Sequence, residues 1–229
     1  VYPVVRDSGV ICQVGFMRRF DPAYAEAKKR IDAGDIGKPI YFKGVSRDPA
    51  SPPEAYIRTS GGIFLDLAIH DFDIARYLMG SEVQSVRSMG SIQLHPFMVD
   101  CGDVDQALTY LTFESGAAGD VESSRNAGYG YDIRGEVVGT EGTLLIGSLR
   151  QRDVVFLGRK GRITDIVPDF VRRFDEAFIA ELEHFVECVR KRETPLCTML
   201  DGVRALEIAE AATKSFLRGQ EVEVEQEMV

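Results

Sequence analysis

Apolar residues recur in two different rhythms along this chain, and the change comes near Glu82. In the first stretch, GVICQVGF at 9–16 is a short apolar run punctuated by glycine, the signature of a buried parallel strand. RRFDPAYAEAKKRIDAGDIGKP follows. Asp21 reads as an N-cap, Pro22 as the first helical residue and Gly34 as the stop, which predicts a helix over about 22–33. PIYFKGVSR at 39–47 alternates as a strand, and DPASPPEAYIRTSGG at 48–62 predicts a long loop of the kind that is often functional. The segment SGGIFLDLAIHDFDIARYL at 60–78 is apolar on nearly every side, so it predicts a buried helix.

From Glu82 to about Val167 the period falls to two. EVQSVRSMGSI, DVDQALTYLTFE, GAAGDVESSRN, YDIRGEVVGT, GTLLIG and DVVFLG are successive strand candidates, with tight turns at Glu114-Ser115-Gly116 and Thr140-Glu141-Gly142. This predicts an antiparallel meander. Two amphipathic helices close the chain, over about 170–191 and 201–218, the second capped by Asp201. The fold class is therefore α+β: a large, mostly antiparallel open sheet flanked by helices, not the βαβ alternation of a nucleotide-binding domain.

One feature of the 60–78 helix bears on chemistry. Asp66, His70 and Asp73 lie at i, i+4 and i+7, which at roughly 100° per residue falls within a sector of about 60°. Desolvated carboxylates and imidazoles require partners. The stripe thus forms a structural Asp–His pair, an oriented general acid/base in which the acid raises the proton affinity of the ring, or a metal site built on Asp66 and His70. Spacing alone leaves all three open.

Composition narrows the classes. The 229 residues are 45% hydrophobic and 28% charged, an ordinary globular balance. A net charge of −9, with basic runs as short as Arg190-Lys191-Arg192 and Arg159-Lys160-Gly161-Arg162, argues against a nucleic-acid surface. No apolar run approaches the roughly 20 residues of a spanning helix and no signal-peptide pattern opens the chain, so no membrane role and a cytoplasmic location are expected. Cys12, Cys101, Cys188 and Cys197 lack metal-ligand spacing and read as reduced thiols. His184 reads as a surface or packing residue, and His95 has no expected role. There is no G-x-G-x-x-G; GYGYDIRG at 128–135 has the wrong spacing and leads into a strand.

Several motifs run in order across nearly the whole chain: GF-x-R-R-FDP, IGKP, SGGIFLD-x3-HDFD, SRNA-x-YGYD-x4-EVVGTEGTL, F-x2-EL-x-HFV and DG-x-RALEIAEAA-x-KS. Together they resemble the substrate-binding domain of the glucose–fructose oxidoreductase/inositol dehydrogenase (Gfo/Idh/MocA) family, and within it most closely the myo-inositol 2-dehydrogenases. The resemblance implies a two-domain, NAD-dependent oxidoreductase acting on a cyclic polyol, myo-inositol first, with a related sugar or scyllo-inositol as the alternative. A non-catalytic assembly module of the same fold is the rival from another class. It implies that residues 1–16 are the remnant of a Rossmann domain and that 17–229 form the substrate-binding and oligomerisation domain. NAD would be bound mainly by a preceding domain, which would also carry the Glu-Lys-Pro lysine, so no cofactor-binding residue and no metal site are expected within this chain. The partner expected is a second copy, in a homodimer or homotetramer formed through the sheet. By motif position, His70 would be the catalytic base and Asp66 its orienting partner. Arg18, Asp48, Tyr129 and Tyr131 are candidates to meet polyol hydroxyls, which call for charged and phenolic hydrogen-bonders.

Overall fold

Strand β1 (Pro39–Arg47) is the axis about which the molecule is arranged. The computed structural model describes residues 1–159 and 161–226; Lys160, in one of the short basic runs, lies outside the described residues. Before β1 come α1 (Tyr2–Ser8) and α2 (Pro22–Asp32). The Asp21 carboxylate accepts from the backbone N–H groups of Ala23 and Tyr24, and Gly34 follows in the left-handed region at φ 83°, so this helix begins and ends where its capping residues dictate. After β1 come α3 (Glu54–Ser60), a π turn over Phe64–Ala68, α4 (Ile69–Met79), β2 (Val83–Ser91) and α5 (Met98–Cys101). Strands β3 (Gln106–Phe113), β4 (Ala118–Ser124), β5 (Asp132–Gly139), β6 (Thr143–Ile146), β7 (Arg150–Gly158) and β8 (Gly161–Ile166) follow. The chain closes with α6 (Phe170–Arg173), α7 (Asp175–Lys191), α8 (Met199–Arg218) and β9 (Val222–Glu223).

Seven strands form one sheet in the order β6-β5-β1-β4-β3-β2-β9, and β7 pairs with β8 in a separate ribbon. Only β1 and β4 run parallel, Tyr41 facing Ala118 through Arg47 facing Ser124; the other neighbours are antiparallel. The fold is α+β with a large, mostly antiparallel open sheet flanked by helices. The inner sheet face (Phe42, Val86, Leu111, Val121, Val137) packs against Ile74, Ala75 and Leu78 of α4 and Ile208, Ala209 and Ala212 of α8. Each such large side chain contributes about 1.5–3 kcal/mol when removed from water. Helix α4 is enclosed on both sides, so its apolar residues and its charged Asp71, Asp73 and Arg76 are buried alike.

Five local expectations need correction. Residues 10–16 form no strand: they have no neighbouring strand to pair with, and Val14 N–H bonds only the Cys197 carbonyl. The 48–62 loop contains α3, which closes on Gly61 in the left-handed region. The meander is interrupted, because β1 inserts between β4 and β5 and β7 leaves the sheet. The 170–191 helix breaks at Phe174, buried at 0% exposure with φ −122°. Thr198, not Asp201, caps α8; Asp201 is the third residue of the helix and returns a bond to the Thr198 N–H in a capping box.

Candidate functional site

The π turn at Phe64–Ala68 decides which side chains of the 60–78 segment reach solvent. Its wider turn carries an extra residue, so Asp66, His70 and Asp73 do not share one stripe. Asp66 and His70 line a cleft of about 690 Å³, whereas Asp73 is fully buried and receives two bonds from Arg19, at 2.6 and 2.9 Å. The turn is held at its start by Asp103, whose Oδ1 accepts from the Ile63 N–H at 3.0 Å.

The cleft gathers residues distant in sequence. Asp48 and Pro49–Pro53 follow β1, Tyr56 comes from α3, Arg125 follows β4, Tyr131 precedes β5, and Asp169, Phe170 and Phe178 come from the start of the C-terminal helices. Gly15 and Met17 close the remaining side. Arg125 is 1% exposed and donates from Nη2 to Asp66 Oδ2 at 2.7 Å, with Nη1 3.7 Å from Asp48 Oδ2. Tyr56 donates its hydroxyl to Asp66 Oδ1 at 2.6 Å. The cleft thus holds a cation between two carboxylates, beside a phenol and an imidazole. Such a set can hydrogen-bond several hydroxyls at once.

His70 makes an edge contact with the Phe16 ring, centroids 5.7 Å apart, and its Nδ1 is buried without a partner. Burial lowers its pKa from 6.5 to about 4; the Arg18 charge adds to this and Asp66 opposes it. Asp66 does raise the proton affinity of the ring, but desolvation and Arg18 outweigh the carboxylate, whose oxygens are engaged by Arg125 and Tyr56. Burial also raises Asp48 from 3.8 to about 6, opposed by Arg125 and reinforced by Asp66. At neutral pH the ring is an uncharged proton acceptor.

These features have counterparts in known proteins. The family model described as "Oxidoreductase family, C-terminal alpha/beta domain" matches residues 28–224. The chain belongs to this family. Among curated members, scyllo-inositol 2-dehydrogenase (NAD(+)) of Bacillus subtilis is 59% identical over 221 residues, covering 96% of this chain and 65% of that protein. Myo-inositol 2-dehydrogenase of Thermotoga maritima is 41% identical over 222 residues, covering 96% and 66%. The chain thus spans about two thirds of the length of these relatives. Among solved structures, a putative myo-inositol dehydrogenase of Sinorhizobium meliloti superposes with a TM-score of 0.94 at 36% identity, covering 98% of this chain and 68% of that one. The scyllo-inositol dehydrogenase of Lactobacillus casei with bound NAD(H) and scyllo-inositol gives 0.91 at 30% identity, covering 97% and 67%. Relatives named for both inositol isomers match well, so the resemblance extends to the oxidoreductase family and its inositol dehydrogenases, not to the myo-inositol enzymes in particular.

Within this oxidoreductase domain the sequence-predicted residues divide. Asp48, Asp66, His70 and Tyr131 meet in the cleft. Arg18 does not: it is 1% exposed and bonds Asp71 and Ser46 behind the cleft wall. Tyr129 does not either; it is half-exposed, donating to Asp132 at 2.8 Å and accepting from Arg47 at 3.1 Å on the sheet. Arg125 and Tyr56 were missed. Arg125 stands in the quoted SRNA motif, but nothing in the sequence separates it from a surface arginine at a strand end. Tyr56 stands in a stretch that the sequence alone predicts as loop, with no signal that marks it for the cleft. His184 accepts from Leu196 N–H at 2.9 Å and sits 3.3 Å from Cys188 Sγ, a packing position. The four cysteines are free. Among the described residues no cluster of three or more His, Cys, Asp or Glu side chains could hold a metal ion, and no helix is long and apolar enough to cross a membrane.

Proposed function

We propose that this chain is the alcohol-binding and oligomerising part of a cytoplasmic, NAD-dependent oxidoreductase of cyclic polyols, with scyllo-inositol ahead of myo-inositol as substrate. The observation that carries the reading is His70: an uncharged ring at the wall of a cleft whose other polar groups, Asp48, Asp66, Arg125 and Tyr56, are hydroxyl-binding groups. The order of the two isomers follows the 59% identity to a relative named for scyllo-inositol.

His70 takes the proton of the hydroxyl to be oxidised. Its buried Nδ1 leaves Nε2 as the nitrogen open to the cleft. Arg125 anchors Asp66 and, with Asp48, fixes the neighbouring hydroxyls of the ring. Tyr131, 7% exposed and packed on Met17 and Phe174, forms the apolar side against which a cyclohexane face rests. NAD, when bound, supplies the hydride acceptor. The start of α2 offers a dinucleotide no seat: its opening N–H groups are taken by the Asp21 carboxylate, which would repel a pyrophosphate. Cofactor binding is therefore assigned to a further domain of a longer protein. The exposed face of the seven-stranded sheet is assigned to self-association.

The test is NADH formation by the intact enzyme with scyllo-inositol, myo-inositol and related sugars. His70→Ala is expected to lower kcat by about 10²–10⁴-fold with NAD affinity unchanged. Undiminished turnover in that variant would refute the assignment, and a preference for myo-inositol would reverse the substrate order alone.

A further inference from the structure

Asp66 accepts hydrogen bonds from Arg125 and Tyr56, not from His70. Its Oδ2 accepts from Arg125 and its Oδ1 from the Tyr56 hydroxyl at 2.6 Å. Four residues along the same segment, the Nδ1 of His70 is buried and unpartnered, although both side chains line one cleft. A buried imidazole nitrogen without a partner beside a carboxylate is an incomplete arrangement. A turn of Asp66 from the phenol toward the ring would offer that nitrogen an acceptor.

Tyr56 is well placed to hold Asp66 in the other position. It stands on α3, half-exposed at the cleft mouth. The helix beneath it is fixed by the buried Ile57, by Arg58 Nη1 donating to the Asp100 carbonyl at 3.0 Å, and by Arg58 bonding Glu54. The phenol is therefore a donor with a defined seat.

We propose that Tyr56 is a positioning residue that competes with His70 for Asp66, so that a polyol entering the cleft exchanges one partner for the other. In the arrangement seen here the phenol donates to Asp66 Oδ1 and His70 Nδ1 has no partner. When a substrate hydroxyl oxygen accepts the phenol's hydrogen bond, Oδ1 is released to accept from His70 Nδ1–H, and Nε2 becomes the stronger base as substrate arrives. No covalent bond changes in the exchange; one O–H donor moves from a carboxylate to an alcohol oxygen. The idea rests on Asp66 and His70 serving as the acid–base pair proposed above.

The charged and titratable groups around His70 are Arg18 and Asp66, which act on its charge, and Asp48, Tyr56, Arg125, Tyr131 and Asp169, which line the same cleft. Tyr56→Phe removes one hydroxyl and none of these charges. In the intact enzyme it is expected to move the acidic limb of the kcat/KM profile upward by about one pH unit, because Asp66 then bonds the ring in the free enzyme. With Asp66→Asn already in place, the same change should leave the limb where it was. An unmoved limb in a folded Tyr56→Phe enzyme overturns the proposal. If that variant does not fold, ¹⁵N-histidine spectra of the unaltered protein decide: a carboxylate-bonded Nδ1–H on His70 without substrate overturns it, and its appearance only with inositol supports it. Turnover retained by His70→Ala would bring down the acid–base reading itself; an inactive His70→Ala beside an unmoved Tyr56→Phe limb brings down this inference alone.

Discussion

Arg18 Nη1 donates to Asp71 Oδ1 at 2.6 Å, and the two residues are 1% and 0% exposed. Ser46 Oγ completes the unit, accepting from Arg18 Nη2 at 2.9 Å and donating to Asp71 Oδ2 at 2.5 Å. Burial is the largest single influence on Arg18 and would lower its pKa, but the Asp71 charge and hydrogen bond, together with the nearby Tyr24 and Tyr131, outweigh it and hold the guanidinium above its usual range. Because Asp71 follows His70 in the chain, this pair fixes the start of α4 against β1 and the turn after Phe16. Removing one partner strands a buried charge, a loss of about 3–5 kcal/mol. Asp71→Ala should therefore lower the urea midpoint of the intact protein sharply, and replacing Arg18 and Asp71 together by Met and Leu should cost less than either single change. Equal or greater loss in the double variant would show that the pair is not the source.

The same seat constrains β1. A Cβ built at Gly44 would lie 2.9 Å from Asp71 Oδ1 and 3.1 Å from the Phe42 ring, so glycine is present for close approach and not for backbone freedom. Gly44→Ala is expected to destabilise by about 1–3 kcal/mol through overpacking. A neutral effect in the same urea titration would mean that the pair shifts without cost.

The cleft carries two titrations of opposite sign. His70, lowered to about 4, binds its proton less well folded than unfolded, so between pH 6.5 and 4 its contribution to stability falls as pH falls. Asp48, raised to about 6, binds its proton better folded than unfolded, so between pH 3.8 and 6 its contribution rises as pH falls. Each amounts to roughly 3 kcal/mol, and over most of the window they cancel. Asp48→Asn should expose the His70 loss, giving a variant that weakens from pH 6.5 to 4 relative to the unaltered protein. His70→Gln should show the reverse trend. Parallel pH–stability curves for all three proteins would exclude these shifts.

How far the sequence could be read depended on the range of the forces involved. Asp21-Pro22 and Gly34 set α2 through bonds within a few residues, and the period-two runs from Glu82 onward located β2 to β6. The order of strands rests on contacts far apart in sequence, and no local pattern shows that β1 lies between β4 and β5. Arg18 and Arg19 look equivalent as a pair, yet Arg18 binds Asp71 while Arg19 serves Asp73 and Asp201. The π turn, which separates Asp73 from Asp66 and His70, leaves no mark that distinguishes it from an α-helical turn. For the same reason Arg125 was unreadable: its importance lies in burial between Asp48 and Asp66, which only tertiary packing creates.

The cap of α8 depends on two residues, Thr198 and Asp201, that bond each other. Thr198 Oγ1 accepts from Asp201 N–H at 3.3 Å, while Asp201 Oδ2 accepts from Thr198 N–H at 2.8 Å and Oδ1 from Arg19 at 2.9 Å. Thr198→Ala should cost about 1 kcal/mol, the ordinary loss of an N-cap. Asp201→Ala also removes a carboxylate from Arg19 and should cost visibly more, by thermal unfolding of the intact protein. Equal losses would mean that the Arg19 contact is energetically idle.

The outer face of the sheet gives the last prediction. Met89 and Leu108 face each other across β2 and β3 and are 60% and 40% exposed; Tyr110, on the same strand, and Leu145 of β6 are exposed as well. Between them lie charges of both signs, Lys43 with Asp120 and Arg47 with Glu122. The self-association proposed for this face would cover these exposed apolar side chains. Mixed charge suits a second copy, because a two-fold axis brings the same patch against itself and lets each positive group find a negative one. Leu108→Asp would bury an unpaired carboxylate in such an interface without touching the inner core, so the subunit should stay folded while the assembly weakens. Light scattering on the intact protein should show the mass fall to that of a smaller assembly, with the circular dichroism spectrum unchanged. An unaltered mass would move the interface away from this face of the sheet.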